Sequence, residues 1–390
     1  LWMGRRSLPK PARWLRPATW TLIALTAWIV FHSVAVAPAP TIALDQFRAN
    51  WMLPLLVGGV GAWAAAQVRR ERAVLFVVLA LAAHMAWLLA WQFRMWPGAG
   101  VWPFKVTPFG SYDFQGTLNS FFLALLLADR LCWVLERYSP LALGRIAGWA
   151  LLLLATLSDL ALQSRNSTVI SLSLLIAAGL VALSARSGYW RGILVVIGLV
   201  AALGAASASF DPRWQGLRES VVVGWSSPSM TWMTADGNSW LTASWPTTPS
   251  GRPLEFSAYF RSAMARHSID FIGENPLGIG FGHDAFGRAM LLKHGHPGLG
   301  SSHSGWLDFA MGTGLIGLAL LLATAGLTIL GGWREFRKKK DAQALLLAFF
   351  VGGYMLRCLL DGHLSGWRLG LFAFIVGVLV AGTKNPRTDS

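Results

Sequence analysis

Cysteine, charge and acid are all scarce in this chain. The 390 residues hold two cysteines. Cys132 and Cys358 fall near opposite ends of their hydrophobic runs, so they neither pair readily nor supply a thiolate metal site. Charged residues make up 13% of the sequence against 54% hydrophobic, too few to cover a soluble domain of ordinary make-up. The sequence contains no P-loop and no HExxH pair, which leaves P-loop nucleotide chemistry and zincin chemistry without a motif.

Long apolar runs take their place. Segments of about 17–25 apolar residues, each long enough to cross about 30 Å of hydrocarbon as a helix, lie near 19–36, 51–68, 73–91, 116–135, 146–163, 168–185, 192–208, 304–330, 342–360 and 366–382. The chain reads as an all-α polytopic integral membrane protein of about ten spans, or twelve if 92–115 or part of 209–253 re-enters. Three regions follow: N-terminal membrane helices over 1–208, one large loop over 209–302, and C-terminal membrane helices over 303–390.

Acid is outnumbered by base, 18 to 33, yet the basic residues are not placed as a nucleic-acid surface would need. Most fall in six short segments, 1–18, 69–72, 129–145, 184–191, 331–341 and 383–390, all on one side of the membrane if the spans alternate. In the long loop, Arg213, Arg218, Arg252, Arg261, Arg266, Arg288 and Lys293 are matched by as many acidic residues. Lys/Arg excess in short loops marks the cytoplasmic side, so both termini are expected inside and 209–302 outside, with no nucleic-acid partner. The first run ends in SVAVAPAP, a small-residue pattern that also suits a signal peptide; a retained anchor is the preferred reading.

The cytoplasmic connections are short and hold no recognisable catalytic motif, so any chemistry belongs to the outward side or the membrane. The stretch 92–115 interleaves Trp, Pro and Gly, as an interfacial aromatic belt does; a rim that stacks on sugars or head groups is the other reading. Within the long loop, Phe256, Phe260, Ala263, His267 and Phe271 recur at helical spacing, and a weakly amphipathic helix is expected over 254–273. On it, Arg261 and Arg266 stand about 140° apart, so they do not both face one ligand. Arg266 has a bridging partner in Asp270, four residues on.

Candidate site residues cluster at outward span ends. Arg165 lies in a tight turn between two spans, as a snorkelling side chain or as a fixed cation for an anionic lipid-borne group. Gly278 and Gly280 sit in PLGIGFG, either a backbone cradle for an anion or a close-packing segment. His283, His294, His296 and His303 lack zinc-ligand spacing. His303 opens a span, where an imidazole can orient or deprotonate a hydroxyl. Ser304 follows it. Asp361 and His363 form a turn between the last spans, with Arg357 and Arg368 close enough in sequence to be ion-pair partners for Asp361.

Taken in order, these pieces resemble the O-antigen ligase and O-antigen polymerase superfamily, which includes bacterial protein O-oligosaccharyltransferases. The resemblance covers roughly 146–330. It rests on Ser164-Arg165, on the loop helix with Arg261 leading into Glu274-Asn275-Pro276-Leu277-Gly278-Ile279-Gly280, on His303 with Trp306-Leu307, and on Gly314-Leu315-Ile316-Gly317. Ser304 stands where the family often has Asn, and Gly312 where an acidic residue is common.

The resemblance implies a glycosyltransferase of the bacterial inner membrane with a periplasmic site. It would move a glycan from undecaprenyl pyrophosphate to an acceptor hydroxyl, without metal, nucleotide or other cofactor. Arg165 and Arg261 would hold the pyrophosphate, and His303 would activate the acceptor. Arg266, Gly278, Gly280, His283, Asp361 and Ser304 are the candidate substrate-binding residues. With one base and Asp361 as the single outward acid considered, direct displacement and inversion are expected. The favoured activity is O-antigen ligase, with lipid A–core as acceptor. An O-antigen polymerase or a protein O-oligosaccharyltransferase is the near alternative. A lipid-linked glycan transporter is the distant one, because transporters place ionisable groups near the midplane of broken, repeated helices.

Overall fold

In hydrocarbon every backbone N–H and C=O has to be satisfied within the protein, and each of the ten apolar runs is helical. The structure, a computed structural model, describes residues 12–68, 70–99, 112–185, 190–210, 214–226, 245–296 and 299–382. Among these, eight helical stretches are long and apolar enough to cross a membrane: Arg13–Ala35, Pro40–Gln67, Arg72–Met95, Asp113–Glu136, Arg145–Leu162, Arg165–Ala185, Gly305–Lys339 and Ala342–Leu360. Two shorter apolar helices, Ile197–Ser209 and Gly366–Ala381, complete the set. The protein is an all-α, multi-pass membrane protein.

In chain order the helices are α1 (Arg16–Ala35), α2 (Pro40–Phe47), α3 (Leu53–Gln67), α4 (Arg70–Ala99), α5 (Tyr112–Glu136), α6 (Arg145–Leu162), α7 (Arg165–Ala185) and α8 (Trp190–Phe210). There follow α9 (Leu217–Ser226), α10 (Phe256–Glu274), α11 (Ala285–His294), α12 (Gly305–Lys339), α13 (Ala342–Leu360) and α14 (Gly366–Gly382). The second span begins earlier than its apolar run. Proline at the first turn of α2 starts a helix that continues through a π turn, Arg48–Met52, into α3. Residues 100–111 of the aromatic stretch and 227–244 of the Ser/Thr/Trp-rich part of the loop lie outside the described residues.

α5 and α13 form the centre, with Phe121, Phe122, Leu125, Leu126, Leu346, Leu347 and Phe350 buried. Around them small residues allow close crossings, the usual device where lipid leaves no hydrophobic drive between helices. A side chain at Gly61 of α3 would collide with the Phe374 carbonyl of α14, and one at Gly377 with the carbonyl of Gly58.

α12 is broken at Gly314, whose φ is 74°. The break frees backbone groups, and the segment after α10 satisfies them. Ile279 and Gly280 donate their N–H groups to the carbonyls of Met311 and Gly312 at 2.9 Å each, and Leu315 donates to Pro276 O at 2.8 Å. From α1, Trp28 Nε1 donates to Thr313 O at 2.8 Å. This two-way exchange fastens the loop carrying α10 and α11 onto the mouth of the bundle.

Candidate active site

The stretch Ser301–Ser304 ahead of α12 has no regular structure and is shaped by Asp308, one turn inside the helix. The Asp308 carboxylate accepts from Ser301 Oγ at 2.7 Å and from the Ser302 N–H at 2.9 Å. Held this way, the chain passes through His303 with φ of 59°, a left-handed conformation that a non-glycine residue adopts only when its surroundings impose it. The His303 N–H donates to Ser301 Oγ at 3.1 Å, and the ring is presented at the mouth. Burial by the surrounding groups, then the Arg261 cation, set its pKa below the usual histidine value of 6.5 against the opposing pull of Asp361. The side chain is nevertheless exposed; that exposure is to the cavities it lines.

Two arginines flank this ring, each fixed by a carboxylate from a different element. Arg165, at the first turn of α7, pairs with Glu255 at 2.7 Å. Glu255 caps α10 by accepting the Ala258 N–H at 2.7 Å, so the same carboxylate starts the loop helix and ties it to α7. Arg261, two turns along α10, donates to Asp361 Oδ1 from both terminal nitrogens at 3.1 Å and to the Leu360 carbonyl. Asn166 Nδ2 donates to the same Asp361 oxygen at 2.8 Å.

Asp361 also anchors the interior. Its second oxygen lies 3.1 Å from Arg357, which is fully buried. A buried guanidinium is tolerated only with its donors engaged. Arg357 donates to Ser120 Oγ at 3.2 Å, Ser167 Oγ at 3.0 Å and His363 Nε2 at 3.1 Å. Burial, then the Arg357 cation, push the His363 pKa far below the ordinary histidine value, so this imidazole is neutral.

Two cavities meet at His303. The larger, about 790 Å³, is mainly apolar, with Val169, Ile269, Leu315, Leu318 and Leu359 on its walls and Arg165 and Arg261 among its few polar residues. The smaller, about 310 Å³, is lined by Asp113, Asp308, Asp361, His363 and Arg368 as well as His303. One cavity therefore suits a hydrocarbon tail with an anionic head, and the other a polar, uncharged or mixed ligand.

The sequence-derived candidates divide accordingly. Arg165, Arg261, His303 and Ser304 line the apolar cavity, and the Ser304 hydroxyl has no partner among the described residues. His283 and Asp361 line the polar one, where His283 Nδ1 lies 2.8 Å from Gln46 Oε1. Arg266 is not brought in: it donates to Trp225 O at 2.6 Å and sits 3.8 Å from Asp270, on the far side of α10, as the 140° separation requires. Gly278 and Gly280 correct the cradle reading. Their φ values are 81° and 111°, and their N–H groups go to Asn275 O and Gly312 O at 2.9 Å, so they serve close packing and offer no donor to an anion.

Sequence reasoning missed Glu255, Asp308 and Asp113. Asp361 is thus not the sole acid at the mouth. Asp308 carried one signal, an acid within the first turn of a long apolar run. Glu255 stands three residues before a helical N–H, the spacing of a cap, but its pairing with Arg165 spans 90 positions and follows no spacing rule. The buried Arg357 and Asp159 also show that ionisable groups are not confined to the rim.

Residues 150–322 match the family model described as O-antigen ligase, in agreement with the resemblance read over 146–330. A search of curated proteins found no match to the chain.

Proposed function

We propose, from the premise that residues 150–322 match the O-antigen ligase family model, that this membrane protein transfers a glycan from undecaprenyl pyrophosphate to the lipid A–core oligosaccharide on the periplasmic face. The observation that carries the reading is the position of His303 between a mainly apolar cavity holding Arg165 and Arg261 and a smaller cavity where Asp113, Asp308, Asp361, His363 and Arg368 stand among a few apolar side chains.

The polyprenyl tail runs along the apolar walls, where Val169, Ile269, Leu315 and Leu359 are exposed and line the cavity. Its pyrophosphate meets Arg165 and Arg261. As the glycosidic bond breaks, negative charge gathers on the leaving phosphate, and guanidinium groups stabilise it more in the transition state than in the ground state. Glu255 and Asp361 fix the directions of these cations, so little reorganisation accompanies the step.

On the other side, the acceptor hydroxyl gives its proton to His303, which is neutral near pH 7 because its pKa lies below the usual value, and attacks the anomeric carbon. Asp361 is occupied by two arginines and is not free to act as a nucleophile. With His303 as the one base, and with Asp113 and Asp308 assigned to the cavity on the acceptor side, the reading is a single displacement with inversion, in which the base and the leaving group lie on opposite faces of the reacting carbon.

The family match also covers polymerase-type chemistry, and the acceptor separates the two. In a strain lacking this protein, unligated lipid-linked polymer of full length accumulates if it is the ligase. Accumulation of single-repeat products instead would assign it to the polymerase.

A further inference from the structure

The polar cavity has donors and acceptors that the fold itself leaves unused. The Asp113 carboxylate, in the first turn of α5, lines it, and among the described residues that carboxylate has no hydrogen bond or ion pair. His363 is 2% exposed and lines the same cavity. Its Nε2 faces Arg357 Nε at 3.1 Å and the Thr117 hydroxyl at 2.7 Å. Arg357 Nε can only donate, so Nε2 accepts, and the one proton of the neutral ring is on Nδ1. That N–H has no partner among the described residues. Arg368 Nε is likewise buried without a partner there, its guanidinium lying over the Trp367 ring with 5.2 Å to the centroid.

Buried polar groups are nearly always paired, and His363 Nδ1 and Arg368 Nε are such groups left unpaired, while Asp113 is half-buried at the cavity wall. An unpaired carboxylate and an unpaired imidazole N–H in one pocket of about 310 Å³, at the lower end of ligand-pocket sizes of about 300–1,000 Å³, are complementary to a ligand that both gives and takes hydrogen bonds. A sugar ring does both. A phosphate gives few at neutral pH, and the carboxylates lining the cavity, Asp113, Asp308 and Asp361, outnumber its one arginine, Arg368.

We propose that this cavity seats the acceptor sugar, a neutral polyhydroxylated ring, with the Asp113 carboxylate accepting from one hydroxyl and the His363 Nδ1–H donating to another. The inference rests on the function proposed above and deepens it. In an in-line displacement the leaving pyrophosphate and the attacking oxygen occupy opposite faces of the anomeric carbon. The arginines lie in the apolar cavity, which assigns the donor lipid there and leaves the opposite side of His303 to the acceptor. Asp113 and His363 then hold the ring so that one hydroxyl reaches His303.

The test is steady-state transfer in detergent or nanodiscs, with purified undecaprenyl-pyrophosphate glycan and lipid A–core varied in turn, for wild type, Asp113→Asn and Asp113→Ala. The Asp113 carboxylate makes no hydrogen bond or ion pair among the described residues, but its charge favours that of the buried Arg357, so the Tm of each variant is measured and KM values are compared on folded protein. Loss of a charge-assisted hydrogen bond predicts a rise of about tenfold or more in KM for lipid A–core with Asp113→Ala, a smaller rise with Asp113→Asn, which keeps one acceptor oxygen, and a donor KM within about twofold of wild type. A rise in donor KM instead, or an acceptor KM unchanged in both Asp113 variants, overturns the assignment of the cavity while the ligase reading stands. Failure of the wild type to use lipid A–core, while it transfers the glycan to another acceptor, overturns the ligase reading and this inference with it.

Discussion

Asp361 accepts from both terminal nitrogens of Arg261 at 3.1 Å, so the loop helix α10 is docked on the turn between α13 and α14 by a two-pronged ion pair. The same carboxylate compensates Arg357 beneath it, which makes the two partners unequal in what they hold.

Stability is expected to separate them. Asp361→Asn leaves the buried Arg357 without its counter-charge, a loss of about 3–5 kcal/mol, readable as a lowered Tm or poor recovery of folded protein. Arg261 keeps a side chain that is 27% exposed, against 0% for Arg357. Arg261→Ala should therefore cost about 1 kcal/mol or less in stability, near the range of exposed pairs, while abolishing transfer. Equal destabilisation by the two substitutions would contradict this division.

The pH profile follows from His303. The base must be neutral to accept a proton, and its pKa is lowered by burial and then by the Arg261 cation. Activity should rise with pH along one acid limb whose midpoint lies below 6.5, and should be level near pH 7. Replacing Arg261 by Gln removes a cation that disfavours imidazolium, so the midpoint of the residual activity moves upward. A limb centred above 6.5 in the wild type would count against His303 as the group that titrates.

Glu255 is expected to act through Arg165. Glu255→Gln keeps an acceptor for the Ala258 N–H, so α10 should remain capped, but it removes the charge 2.7 Å from Arg165. With the guanidinium less firmly oriented, kcat should fall about tenfold, equivalent to about 1.4 kcal/mol. Circular dichroism identical to wild type together with unchanged kcat would assign Glu255 to capping alone.

Gly278 tests the joint between the loop and the broken span. Its φ is 81°, and a Cβ there would run into the backbone of Met311, Gly312 and Gly314. Gly278→Ala combines left-handed strain of about 1–3 kcal/mol with displacement of the α12 break. Low yield of folded protein is expected, whereas substitution at Gly273, which has open space around it, should be tolerated.

The spans were legible because hydrocarbon imposes one requirement, a long apolar helix, on each crossing. Arg165, Arg261, His303 and Asp361 were found because each is a polar residue at the end of such a run, or on a helix whose period can be read. What escaped was pairing across elements. The Arg165–Glu255 contact and the meeting of Asp113 and His363 at one cavity depend on how elements distant in sequence are packed, and the hold of Asp308 on Ser301 and Ser302 on a turn with no regular structure. The glycines of PLGIGFG left two readings open for a related reason: a backbone shaped to meet an anion and one shaped to meet another backbone need the same residues. Only the break at Gly314 distinguishes them.

The central claim is tested most directly by transfer from purified undecaprenyl-pyrophosphate glycan to purified lipid A–core, with and without EDTA. The account predicts transfer by the wild type in both conditions and its loss in His303→Ala, Arg165→Ala and Arg261→Ala, each still inserted and folded. Undiminished transfer by His303→Ala, or active wild-type protein that passes the glycan to an acceptor other than lipid A–core, would contradict it.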